Sequence, residues 1–331
     1  MAVETTTTTT GGQIADLGNK TKGKSLMSES MQRLFRNKAA IVGMVIIAFF
    51  ASVAIFAPVI SPHDPLQLNS GKDFLPPFWV KEAQNGKSGD PNFILGTDTL
   101  GRDVLSRVIY GARVSMVVGL IPTAIILVVG TLIGMTAGFA GGRTDNLLMR
   151  FTDVIYAFPD LLFFIIVMIA LRDSTIGTML NGLLLLFVAL AIVNWVGVAR
   201  QMRGQTLSLK QKEFIEAAKS IGVKNPRIMR KHLLPNSLGI LIVYAALLIP
   251  SMIITEAILG YLGLGLRPAT DSHSFFVTSW GSLLLEGQTA INAQPWMLLA
   301  PAICIALVVM AFTFLGDGLR DALDPRLRGT Q

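Results

Sequence analysis

The sequence predicts an all-α integral membrane protein with six transmembrane helices and both termini in the cytosol. Composition and span length set the class. Of 331 residues, 52% are hydrophobic and only 15% charged, whereas soluble domains carry about 25% charge. Six stretches are long and apolar enough for a hydrocarbon core about 30 Å thick, which takes about 20 helical residues to cross. Charge placement sets the orientation. With the N-terminus inside, 20 of the 28 Lys and Arg residues fall in inner segments and 8 in outer ones, the asymmetry that marks the cytosolic face. The net charge of +7 is therefore a topology signal, and no nucleic-acid partner is expected.

In chain order, residues 1–32 read as a disordered cytosolic tail, with threonine at every position from 5 to 10 and low complexity beyond. Residues 18–25, GNKTKGKS, match the phosphate-loop pattern GxxxxGK[ST]. That loop works between a buried strand and a helix. Here polar residues precede it and the membrane begins fourteen residues later, so the match is chance. Residues 33–60 are a basic cytosolic lead-in and a first span at 39–60. As a signal peptide this stretch is too long, and Pro58 and Pro62 follow without a clear cleavage site.

Residues 61–112 form an extracytoplasmic segment, rich in Pro, Gly and Asn at its middle. Towards its end Val104, Leu105, Val108 and Ile109 share a helical face, either an amphipathic surface helix or simply the lead-in to the next span; spacing alone favours the lead-in. Residues 113–317 hold the other spans, about 114–140, 154–171, 179–199, 238–259 and 296–315, with a cytosolic segment at 200–237. Residues 318–331 are a cytosolic tail. Pro122, Pro250 and Pro301 lie inside spans, where neighbouring helices satisfy the freed carbonyls. Gly130, Gly134 and Gly138 suit close helix packing. The outer segment 260–295 either dips into the membrane or forms a surface loop, with Trp280 and Trp296 suited to the interface.

Few residues in the spans suggest chemistry. Glu256, towards the outer end of the fifth span, reads as a solvated or paired structural carboxylate or as a contact for the amino terminus of a passing cargo. Asn194 and Trp195 either line a polar path or hydrogen-bond between helices. Cys304 is the sole cysteine, and His63, His232 and His273 lie far apart, so neither a disulfide nor a metal site is expected. No cofactor is implied.

The segment 200–237 is the most informative. Ser208 with Gln211 fits a capping box that starts a helix near Leu209. Phe214, Ala217, Ala218 and Ile221 fall at i, i+3, i+4 and i+7, one apolar stripe edged by Glu213, Glu216 and Lys219. Gly222 stands where a left-handed helix end is wanted. Asn225-Pro226 starts a second short helix, and Pro235 breaks the chain before span five. A basic helix on anionic lipid is one reading. Two central alanines, however, anchor poorly in lipid and admit close approach of another protein.

Here the chain resembles the permeases of ABC importers. Glu216-Ala217-Ala218, Gly222 and Leu234-Pro235 match their EAA motif, with His232 where isoleucine is usual. GTDTLGRD (96–103), RGQTLSLKQKEFIEAA (203–218), YLGLG (261–265), SWG (279–281) and GDGLRDALDPR (316–326) look like the C-type subunit of dipeptide and oligopeptide permeases. The resemblance runs from about residue 33 to 328. It implies the type I importer permease fold, with 113–317 as its transmembrane domain, in the cell (inner) membrane. It implies that Phe214, Glu216, Ala217, Ala218, Gly222, Leu234 and Pro235 form a coupling element for an ATPase. It also implies the partners: a B-type permease, two ABC ATPase subunits, an extracytoplasmic peptide-binding protein, peptide substrate and membrane lipid. ATP hydrolysis then resides in a separate subunit, and this chain is no enzyme itself. Glu256 and Asn194 are the pathway candidates. Nickel or another small solute is the alternative cargo. An ion-coupled secondary transporter is a weaker rival, since it needs carboxylates near the midplane and no large cytosolic unit. A membrane enzyme is weakest, because no nucleophile–base pair or paired carboxylates stand out.

Overall fold

The computed structural model describes residues 26–83, 86–271 and 274–323. The phosphate-loop lookalike at 18–25, most of the tail assigned to 1–32, His273 and the end of the 318–331 tail lie outside the described residues.

Among the described residues twelve α-helices follow in order: α1 Leu26–Leu34, α2 Lys38–Ile60, α3 Val104–Ala140, α4 Gly142–Tyr156, α5 Asp160–Ala170, α6 Thr175–Thr178, α7 Leu183–Leu209, α8 Glu213–Ser220, α9 Asn225–Ile228, α10 Leu234–Tyr261, α11 Trp280–Thr289 and α12 Trp296–Leu323. A 3₁₀ turn, Met179–Gly182, joins α6 to α7, and a π-helical turn, Met229–Leu233, joins α9 to α10. Among the described residues the only β feature is an isolated bridge between Thr97 and Asp103.

Five helical units are long and apolar enough to span: 38–60, 104–140, 175–209, 225–261 and 296–323. The third expected span is different. The stretch 154–171 straddles α4 and α5, which bend by 78° relative to each other. Pro159 caps α5 and disfavours helical geometry at Phe158. Asp160, a charge inside the expected span, is exposed at the break. With 11 residues, α5 rises only about 16 Å, so the sixth crossing requires the bent pair.

Helix α3 runs unbroken for 37 residues, about 55 Å. Its first turns are therefore the lead-in to a span. Val104 and Val108 are buried in the core, so that face packs on protein instead of lying on the membrane surface. Further along, α3 and α7 approach closely because Gly130, Gly134 and Gly138 face α7. A Cβ on Gly130 would stand 2.5 Å from the Val198 Cβ, and one on Gly138 2.8 Å from the Arg203 carbonyl oxygen.

Two large apolar cores result, with a small third cluster of Leu34, Ala40 and Ala322. One joins α3, α5, α7 and α10 to the cytosolic segment through Ile215, Ile228 and Leu233. The other packs α2, α3, α10, α11 and α12 around Trp280. Trp280 is thus no interface residue: it is fully buried, and its indole N–H donates to the Val108 carbonyl at 2.9 Å. The outer segment 260–295 carries a short helix, α11, packed among the spans. Pro58 offers a second example of long-range satisfaction. It has no N–H for the Ala54 carbonyl one turn back, and Arg113 Nε donates to that oxygen at 2.8 Å.

Candidate functional site

The cytosolic segment begins later than its sequence suggests. Helix α7 continues to Leu209, so Ser208 lies inside it and forms no capping box. Helix α8 starts at Glu213 after Lys212, with no side-chain cap. Glu213 and Glu216 occupy its first turn and Lys219 its last, the arrangement that suits the helix dipole.

The end of α8 is a complete Schellman turn. The Val223 N–H donates to the Ala218 carbonyl at 3.1 Å and the Gly222 N–H to the Lys219 carbonyl at 2.9 Å. Gly222 has φ +76 and open space around the position of a Cβ. Glycine is needed there for its backbone angle alone. Gly222→Ala is expected to weaken α8 by about 1 kcal/mol without a steric clash, seen as faster amide exchange confined to residues 213–223. Unchanged exchange would reject this account.

The apolar stripe is divided between two faces. Ile215 and Ala218 point inward, 0% and 6% exposed, and join the core with Ile228 and Leu233. Phe214, Ala217 and Ile221 are exposed, at i, i+3 and i+7, and form an outward apolar row on α8. Ala218 is thus not on the same surface as Ala217, a correction to the single stripe. Ile215, the inward anchor, was missed; its signal was an apolar residue three positions before Ala218. Phe214 rests near His232, with ring centroids 6.4 Å apart.

Pro235 does not break the chain. Helix runs from Asn225 to Tyr261, widened into a π turn at Met229–Leu233. The widening accommodates a proline ring that has no N–H to give and crowds the preceding turn. Leu234 is half-buried and Pro235 exposed in the first turn of α10.

Polar contacts fasten this segment to the spans. Arg203 of α7 grips Asp145 of α4 with two bonds, 2.6 and 2.7 Å. Arg200 meets Asp153 at 2.9 Å and stacks over Tyr156 at 4.3 Å. Lys210 Nζ donates to the Gly138 and Phe139 carbonyls at the end of α3, 3.1 and 3.3 Å. Lys219 sits over the Phe139 ring at 5.6 Å. These contacts tie the end of α7 to α3 and α4, and Lys219 ties α8 to the end of α3.

The pathway candidates lie elsewhere. Asn194 donates to the Leu190 carbonyl of its own helix at 2.8 Å, and Trp195 is buried beside Phe151. Glu256 is not at a wet interface: it is fully buried, with the Ser115 hydroxyl 3.4 Å from Oε2 and no basic partner among the described residues. It is walled in by Gly281 of α11, where a Cβ would come within 3.0 Å of Oε1. Among the described residues no group of His, Cys, Asp or Glu is arranged to hold a metal ion.

On the outer side the structure assembles a cluster that sequence reasoning did not find. Asp98, 1% exposed, and Glu286, 35% exposed, surround Arg107, with Arg102 alongside. It fastens the segment before α3 to α11.

Residues 130–329 match the model of the family described as binding-protein-dependent transport system inner membrane component, and residues 25–77 match the N-terminal TM domain of oligopeptide transport permease C. The chain is 39% identical to the oligopeptide transport system permease protein OppC of Haemophilus influenzae, covering 93% of this chain and 91% of the relative. It is 39% identical to the dipeptide transport system permease protein DppC of Bacillus subtilis, over 92% and 87% of the two chains. Among solved structures, the MetNI methionine ABC transporter in an inward-facing conformation aligns with TM-score 0.52 and 18% identity, over 66% of this chain and 96% of that one. The last likeness concerns the fold alone.

Proposed function

This chain belongs to the family of binding-protein-dependent transport system inner membrane components, and from that premise we propose that it is one transmembrane half of an ATP-driven importer of di- and oligopeptides. It is a multi-pass membrane protein of the inner membrane, with the ABC importer permease fold. Peptide is the favoured cargo because relatives named for oligopeptide and for dipeptide transport match over nearly its whole length. In this reading a second, B-type permease completes the path, two ATPase subunits bind beneath, and an extracytoplasmic protein delivers the peptide. The chain performs no chemistry of its own; ATP hydrolysis belongs to the partner subunits.

The observation that carries the mechanism is the outward row Phe214, Ala217 and Ile221 on a helix keyed into the core by Ile215 and Ala218. A small residue at the centre of an exposed apolar row fits a cleft on a partner. When ATP binding closes the ATPase pair, α8 is carried with it. The Arg203–Asp145 pair and the Lys210 contacts pass the displacement to α3, α4 and α7. That is a two-state element biased by a ligand at a distant site.

Mild-detergent purification from the native membrane is the test. A second six-span permease, ATPase subunits and a peptide-binding protein are expected to accompany the chain. A lone chain, or a homodimer with ATP-independent uptake, would overturn the reading in favour of a secondary transporter.

A further inference from the structure

We propose that the basic arm beyond Gly222 seats an acidic side-chain cluster on the ATPase subunit and so fixes the direction in which α8 docks. The inference rests on the coupling role proposed above and adds the chemistry of the partner surface. Lys224, Arg227 and Arg230 line an open depression of about 660 Å³ together with Ile221, Val223 and Pro226. All three cations are exposed, and none has an ion-pair partner among the described residues. Their neighbours on the same side of the protein differ, since Arg200 and Arg203 are each neutralised by an aspartate of α4. Three like charges around one hollow repel each other, and an anionic group seated there relieves that repulsion.

Two features select the occupant. The hollow is continuous with the apolar row, because Ile221 belongs to both. Whatever covers Phe214 and Ala217 therefore also reaches the cations. The charges are also unevenly spread along the arm. Both acidic residues, Glu213 and Glu216, lie in the first turn of α8 beside Lys212, whereas Lys219, Lys224, Arg227 and Arg230 lie at and beyond its end with no acidic residue among them. A partner with acidic groups opposite the hollow docks in one direction, and the reverse docking places like charges together.

A lipid headgroup is the poorer occupant. The helix from Asn225 to Tyr261 has 37 residues, about 55 Å, against a hydrocarbon core of about 30 Å. Arg227 and Arg230 sit at its cytosolic end. They thus lie on the cytosolic overhang of a helix that exceeds the hydrocarbon core, the side from which a subunit bound beneath reaches them.

The test uses this chain with its partner permease in lipid nanodiscs, titrated with the ATPase subunits across a range of salt. The double variant Arg227→Glu, Arg230→Glu is expected to bind at least roughly tenfold more weakly at low salt and to lose the salt dependence of the wild type. Arg227→Lys, Arg230→Lys, which keeps the charge, is expected to restore both. Ala217→Arg is expected to weaken docking whatever the salt. If Ala217→Arg abolishes docking while the glutamate pair binds like wild type, the basic-arm proposal is wrong and the coupling role stands. If no variant alters docking, the coupling role itself is wrong. If the glutamate pair loses binding only in discs that contain anionic phosphatidylglycerol, the hollow serves lipid and the proposal is overturned.

Discussion

Ala217→Arg is expected to leave the chain folded and inserted yet to cut peptide uptake per ATP hydrolysed by ten- to a hundredfold. Ala217 is exposed at the middle of the outward row on α8, between Phe214 and Ile221. A long cation there extends into solvent in the isolated chain, so folding has little reason to suffer. Against a partner's cleft the same side chain blocks close approach and brings an unpaired charge into apolar surroundings. Site-to-site coupling energies of about 1–3 kcal/mol correspond to roughly 5- to 150-fold, and removing the contact that transmits them abolishes that factor. Uptake and hydrolysis measured together in proteoliposomes check the result. Transport per ATP equal to wild type would remove the coupling role from this face.

Ala218→Arg is the contrasting control. Ala218 is 6% exposed and joins the core with Ile215, Ile228 and Leu233. An arginine there has no room and no counter-charge, so α8 separates from the core. Loss of transport should then come with loss of protection over residues 213–228. The two alanines are adjacent in sequence and share a motif, yet they fail for different reasons.

That contrast marks how far the sequence could be read. Spans were legible because lipid imposes a length of apolar helix that no soluble core demands, and five of the six crossings appear as helical units of spanning length, one of them kinked at Leu180 and Asn181. The sixth was misjudged because hydropathy sums ignore direction: the apolar run continues on both sides of Pro159-Asp160, where the chain turns by 78°. The capping box at Ser208 failed because α7 is held in helix beyond the membrane by its packing on α3, which a four-residue pattern does not sense. Gly222 was legible because a left-handed helix end has a strong residue preference. The split of the stripe was not, because which side of α8 is inward depends on Ile228 and Leu233 arriving from beyond the turn. Glu256 was misplaced for a like reason, since α11 closes over it from a distant part of the chain.

Arg107→Met is expected to destabilise the protein by about 3 kcal/mol, the lower end of the cost of removing one partner from a buried ion pair. Arg107 is 4% exposed. Its guanidinium donates to Asp98 at 2.7 Å and to both oxygens of Glu286, one of them at 2.8 Å. Asp98 also accepts from the Leu100 and Arg102 N–H groups, each at 2.9 Å, and from Arg102 Nε at 2.7 Å. Without Arg107 the carboxylates of Asp98 and Glu286 face one another with Arg102 alone between them, and a buried charge is left short of its partner. Arg102 survives to compensate in part, which places the loss at the lower end of the range. Arg107→Lys should recover only some of it, because a single ammonium cannot serve two carboxylates as a planar fork does. Glu286→Gln should cost less again, since Glu286 is 35% exposed and its amide still accepts a bond. Thermal unfolding of the purified complex in detergent should show Arg107→Met melting at least roughly 5 °C below wild type, with Arg107→Lys between them. Equal melting temperatures would mean that the outer segment is held to α11 by apolar packing around Trp280, and that the ion cluster only decorates it.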